Sequence, residues 1–172
     1  MACVTRQEMR RMEKEKKEWA EDLEDIRVRL RDKYYRNDLY LDVECGFGTT
    51  EPEVVTIHAL YLPPEERGKG IGTAVMKELI EECQKAGFFA IQLEAFPKVE
   101  DEDGMSGEEI KDLVHWYESL GFELDDPSVL EEIDDEEKYI YNDFTNEGWS
   151  VSRLWLALDL VEWWENGGRG DQ

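Results

Sequence analysis

Apolar residues recur along the first part of the chain at helical spacing. Met9, Met12, Trp19, Leu23, Ile26 and Leu30 follow one another at steps of three, four or seven, and neither Pro nor Gly intervenes before Gly46. Thr5 through Glu8 has the form of a capping box, so a helix is predicted over most of residues 5–35. Lys16 breaks the stripe where an apolar residue is due, which leaves two readings open: packing on the chain's own sheet, or a coiled-coil arm that would make a homodimer. The period then drops to two. LYLDVECGF (39–47) alternates apolar and polar residues, GTTEPE reads as a turn, and EVVTIHALYL (53–62) is rich in β-branched residues, together an antiparallel pair.

PPEERGKGIG ends that pattern, and TAVMKELIEECQKAG places Val75, Met76, Leu79, Ile80 and Cys83 on one helical face before a stop at Gly87. FFAIQLEAF (88–96) reads as a buried strand. Ser106 with Glu109 forms a second capping box, opening a helix that ends at Gly121. FELDD and KYIYNDF (138–144) read as strands, WSVSRLWLALDLVEWWEN as an aromatic-rich helix over 149–166, and GGRGDQ (167–172) as a flexible tail. PKVEDEDGMSG and PSVLEEIDDEE are acidic connections. This alternation predicts an α/β chain with a mixed sheet, and 172 residues suit one domain: a helical extension (1–36), a core (39–144) and a C-terminal helix.

Apolar residues make up 41% of the chain, enough for a packed interior, so the formal charge of −23 describes a solvated surface. The charge is unevenly placed. Residues 1–36 carry 11 Lys and Arg against 9 Asp and Glu, whereas the remainder carries 9 against 34. Such a field repels nucleic acid and attracts cations. No apolar run reaches the ~18 residues a membrane span needs and the N-terminus has no secretory core, so the chain reads as cytoplasmic. Cys3, Cys45 and Cys83 are odd in number and widely spaced, which supports neither a disulfide framework nor a metal site.

Against this acidity, PEERGKGIGTAVMKEL places Gly68, Gly70 and Gly72 beside Arg67 and Lys69 between a strand and a helix. Such a loop turns backbone N–H groups toward one point, where the helix dipole also favours an anion. Glycine lets backbone approach phosphate closely. The GxxxxGK[ST] pattern is absent, and GxGxxG fails because the third glycine arrives one residue early at Gly72. A helix start with a plain glycine turn is the other reading of this segment.

Arg67-x-x-Gly70-x-Gly72 resembles the acyl-CoA pyrophosphate loop of the GNAT acetyltransferase superfamily, and Trp116-Tyr117-Glu118-Ser119-Leu120-Gly121-Phe122 resembles that family's aromatic-Tyr-x-x-x-Gly-Phe element. The resemblance runs from about Leu39 to Phe144. It implies a GNAT-like fold, with a central, mostly antiparallel sheet flanked by helices, and acetyl-CoA as donor to an amine. Backbone groups at Leu60, Tyr61 and Leu62 would meet the pantetheine arm, an N–H near Leu62 would polarise the thioester carbonyl, and Arg67, Gly68, Lys69, Gly70, Ile71, Gly72 and Thr73 would hold the pyrophosphate. Tyr117 matches the family's acid for the leaving thiolate, although it also completes an apolar face with Leu113, Trp116 and Leu120.

The chain departs from the family at two positions: Thr56 stands where some members carry a basic Glu, and Ile110 where many carry a cofactor-touching Asn. His58, two residues beyond Thr56 and on the same strand face, is the candidate base, with an ordinary structural histidine as its alternative. His115 should face away from Tyr117, toward solvent. The acidic loops at 100–103 and 131–137 suit a cationic acceptor: a polyamine, an aminoglycoside or a lysine-bearing protein. Trp149, Trp155, Trp163 and Trp164 read first as core of the last helix, and next as an acceptor pocket or dimer interface. A reading of another class keeps the fold without turnover, as an acidic interaction protein on a basic partner.

Overall fold

The computed structural model describes residues 16–48, 51–94, 105–124, 127–139 and 153–158. The capping box at Thr5, the acidic loop 100–103, the strand residues 140–144, Trp149, Trp163, Trp164 and the tail lie outside the described residues. The chain divides into two compact units, residues 1–91 with 157–172, and residues 92–156.

In the first unit, α1 (Lys16–Lys33) buries Trp19, Leu23, Ile26 and Leu30, the stripe expected from spacing. It lies against β1 (Tyr40–Cys45) and α2 (Ile71–Ala86) of the same chain. Over residues 16–33 the stripe is therefore covered by the chain's own elements and offers no seam to a coiled coil. Trp19 tilts against Phe88 with ring centroids 4.9 Å apart. At the surface, Lys33 pairs with Glu78 and Arg29 with Glu82 at 3.0 Å, linking the two helices.

β1 pairs antiparallel with β2 (Val54–Tyr61), which neighbours β3 (Ala90–Glu94). The Phe89 N–H donates to the Glu53 carbonyl at 2.8 Å, and the Leu158 N–H to the Phe89 carbonyl at 2.9 Å. The β1–β2 register jumps from Asp42 opposite Ala59 to Val43 opposite Ile57. His58 is thus an extra residue, and the hairpin carries a β-bulge there. Leu41 and Leu60, Val43 and Ile57, and Cys45 and Val55 are opposed on one face, and Tyr40, Asp42 and Glu44 are exposed on the other. α2 ends as its sequence predicts: Gly87, at φ 90°, donates to the last-turn carbonyls of Cys83 and Gln84.

In the second unit, α3 (Gly107–Ser119) buries Gly107, Ile110, Val114 and Tyr117. Ser106 caps its N-terminus and Glu109 reaches back to it, the two residues expected there. The Glu109 N–H donates to Ser106 Oγ at 3.1 Å, and the Ser106 hydroxyl donates to Glu109 Oε1 at 3.2 Å. Ser106→Ala should cost about 1 kcal/mol of stability, read as a lower urea midpoint at unchanged slope.

The helix start is also held from the segment after α4 (Val129–Glu132). The Gly107 N–H donates to the Glu137 carbonyl at 3.0 Å, and the Glu108 N–H to the Asp135 carbonyl at 3.2 Å. Lys111 Nζ reaches Asp135 Oδ1 at 2.6 Å. The acidic stretch near 131–137 therefore has a structural task, because its carbonyls receive N–H groups that a helix start leaves over.

β4 (Met105–Ser106) pairs antiparallel with β6 (Lys138–Tyr139), and β5 (Glu123–Leu124) with β7 (Arg153–Ala157). β7 corrects the expectation of a helix across 149–166. Glu123 stands opposite Trp155 and Leu124 opposite Leu154, so RLWLA finds its backbone partners in another strand. A short apolar run rich in aromatic and branched side chains serves a strand as well as a helix, and pairing decides between them.

Candidate active site

β2 leads through a 3-10 turn (Pro64–Glu66) into the glycine loop. Gly68 and Gly70 both adopt left-handed backbone, at φ 77° and 80°, which a side chain at either position would strain. Gly70 is the N-cap of the 16-residue α2, and no side chain of the described residues caps that end. A Cβ built on Gly68 or Gly70 would meet nothing within 4 Å, so the loop faces open space. The helix start is therefore accessible to an anion as well as disposed to bind one.

The loop's two cations are held by neighbours. Arg67 Nε donates to the Leu62 carbonyl at 2.8 Å, and its guanidinium lies over the Tyr61 ring at 5.1 Å. Lys69 Nζ lies 3.6 Å from Glu66 Oε2, the oxygen that also accepts from Asn37 Nδ2 at 2.9 Å. Asn37 was not legible as a neighbour of the loop, since 29 residues separate it from Glu66.

His58 sits on the bulge of β2 with its ring accessible to solvent. Its Nε2 is 3.2 Å from Glu44 Oε2, and the Phe47 ring meets the imidazole edge-on, centroids 4.6 Å apart at 83°. Thr56 is directly opposite Glu44 on β1, so both point to the same face. Sequence reasoning found His58 but missed Glu44 and Phe47, because only the register brings them to it.

Tyr117 belongs to the second unit, whereas His58 and the loop belong to the first. The Tyr117 residue is 7% exposed, with its ring against Trp116 at 4.7 Å and Phe122 at 5.7 Å. Burial pushes its phenol up to about 12, so it is fully protonated at neutral pH. His115 is exposed, as its helical position predicts. Ile110, the residue at the family's Asn position, is fully buried. Burial also pushes the Cys83 thiol up to about 12, which keeps it from acting as a thiolate nucleophile. Among the described residues no cluster of His, Cys, Asp and Glu could hold a metal ion, and no helix is long and apolar enough to cross a membrane.

The sequence model of the acetyltransferase (GNAT) family matches residues 13–122. The chain belongs to that family. The match takes in α1, the bulged hairpin, the glycine loop, α2 and the whole of α3. An uncharacterised N-acetyltransferase of Methanocaldococcus jannaschii is 35% identical over 71 residues, which are 41% of this chain and 26% of that protein. The match thus spans about a quarter of that relative's length. A solved Bacillus subtilis acetyltransferase in complex with CoA shares 19% identity, covering 74% of this chain and 82% of its own, at a TM-score of 0.38.

The loop has the features that the pyrophosphate of an acyl-CoA would require. Open space in front of Gly68 and Gly70, the uncapped start of α2 and the two nearby cations supply room, N–H donors and charge in one place.

Proposed function

We propose that the protein is an N-acetyltransferase that moves an acetyl group from acetyl-CoA to an amine of a cationic acceptor, either a small molecule or a lysine-bearing protein. The observation that carries this reading is the Arg67–Thr73 loop, with two left-handed glycines opening onto the N-terminus of α2. The cationic acceptor rests on charge: the chain carries −23 overall, and Asp42 and Glu44 stand exposed on the open face of the β1–β2 hairpin beside His58.

Bound acetyl-CoA supplies an acetyl group activated as a thioester. Backbone N–H groups from Gly68 to Thr73 hold the pyrophosphate, with Arg67 and Lys69 adding charge. The backbone at Leu60, Tyr61 and Leu62 aligns the pantetheine arm, and the Leu62 N–H serves the thioester carbonyl while the Leu62 carbonyl is engaged by Arg67. His58 removes a proton from the acceptor ammonium, and Tyr117 gives one to the departing sulfur.

Calorimetric titration with acetyl-CoA tests the reading. Gly70→Glu places a carboxylate in the phosphate site and a side chain on left-handed backbone, so affinity should fall at least about 100-fold. Gly70→Ala, which adds only the backbone strain, should fall between that variant and the wild type. If the wild type shows no binding at all, the enzymatic reading fails. The acidic protein would then be tested as a binder of basic partners.

A further inference from the structure

We infer that Glu44 is the positioning residue for the catalytic base, an assignment that rests on the acetyltransferase reading above. The carboxylate lies on the strand next to the one that carries the base, and three independent features of the hairpin converge on it. Glu44 and Thr56 are directly opposed in an antiparallel ladder, so their side chains rise from the same face, with Cβ atoms about 5 Å apart. The bulge at His58 adds one residue to β2 and turns the imidazole out on that same side, to 3.2 Å from Glu44 Oε2. Phe47 also meets the ring edge-on, centroids 4.6 Å apart. Asp42 is the other charged residue of β1 exposed on this face.

The pairing has a chemical consequence. An ionised carboxylate only accepts hydrogen bonds, so the Nε2 of a neutral His58 must carry the proton and donate it to Glu44. That fixes the tautomer, and Nδ1 holds the lone pair for the acceptor's proton. When His58 becomes imidazolium, Glu44 stabilises the charge without taking the proton, as an orienting carboxylate does in other His-dependent sites.

The balance is complete without another reactant. His58 Nδ1 accepts one proton from the ammonium, and the freed nitrogen lone pair forms the C–N bond as the thioester C–S bond breaks. The departing thiolate takes up one proton in place of the second nitrogen proton, and the proton on His58 is released to solvent. Overall an ammonium and a thioester give an amide, a thiol and one proton.

A missing carboxylate at Thr56 is thus answered from the neighbouring strand. The test is thiol release by the full-length protein from acetyl-CoA with spermidine, kanamycin and a lysine-bearing peptide as probes, alongside calorimetric acetyl-CoA binding. Glu44→Gln should lower kcat about 10- to 100-fold, the usual cost of losing an orienting partner, with acetyl-CoA affinity unchanged. Glu44→Asp should fall between, since one methylene less lengthens the contact. Glu44→Gln should add little to the loss in a His58→Gln background, because Glu44 acts through His58; a residue needed only for the hairpin's stability would lower activity further there.

Glu44 is 56% exposed in its side chain, so the substitution leaves the fold intact, which its thermal midpoint checks. Normal turnover in Glu44→Gln while the wild type is active overturns this assignment and leaves the acetyltransferase reading standing. A wild type that binds acetyl-CoA yet releases no thiol with any probe overturns both.

Discussion

Tyr117→Phe should lower kcat by about 10²- to 10⁴-fold, the range that a positioned general acid contributes, with acetyl-CoA affinity held. The substitution is informative because it is nearly isosteric. Phe keeps the ring contacts to Trp116 and Phe122 and the buried face of α3, and removes only the hydroxyl. Unchanged turnover would make Tyr117 a core residue and no more. Because burial pushes the phenol up to about 12, the group is in its donating form throughout the neutral range and gives no alkaline limb to the rate profile below about pH 11.

The same shift bears on stability, with a definite sign. Burial raises the folded pKa of Tyr117 above its unfolded value near 10, so its contribution to folding is present below pH 10 and lost as the pH climbs toward 12. Two pKa units correspond to roughly 3 kcal/mol. The wild type should therefore lose stability more steeply than Tyr117→Phe between pH 10 and 12, measured by denaturant titration at fixed pH.

Gly107→Ala should be the most damaging small substitution in the second unit, at least about 4 kcal/mol. A methyl group there would lie 1.9 Å from the Asp134 carbonyl oxygen, 2.7 Å from its carbon and 2.7 Å from Ile133 Cγ2. Two of these three atoms are backbone, so a rotamer change cannot relieve the contact. The segment must move, and movement breaks the bonds from Gly107 and Glu108 to Glu137 and Asp135. In a chain of 172 residues such a loss corresponds to a fall in Tm of roughly 8–16 °C. A Tm within 2 °C of the wild type would show that the segment yields freely and that the packing is not tight.

The elements that could be read in advance are those whose instructions lie within a few residues. Gly70 and Gly87 bracket α2, Ser106 and Glu109 open α3, and the β-branched run at Val54 declares β2. What escaped depends on partners distant in sequence. RLWLA becomes a strand because Glu123 and Leu124, about thirty residues earlier, pair with it, and a two-residue strand leaves almost no trace in an alternation pattern. The neighbours of His58 escaped for a related reason: one inserted residue shifts the phase of β2 against β1, so which side chains meet across the hairpin cannot be counted from either strand alone. The glycine loop was legible as a candidate anion site because a phosphate asks for backbone, glycine and cations in one contiguous segment.

Glu66 gives that loop a further property. Its carboxylate, 3.6 Å from Lys69 and also accepting from Asn37, stands in for an anion beside the loop before one arrives. A pyrophosphate bound as proposed above would compete with this internal rival for Lys69, so part of the new attraction would only replace the old one. Affinity would be tempered in return for a cation already held beside the loop, and the tethered carboxylate would be within reach to reclaim it once the anion leaves.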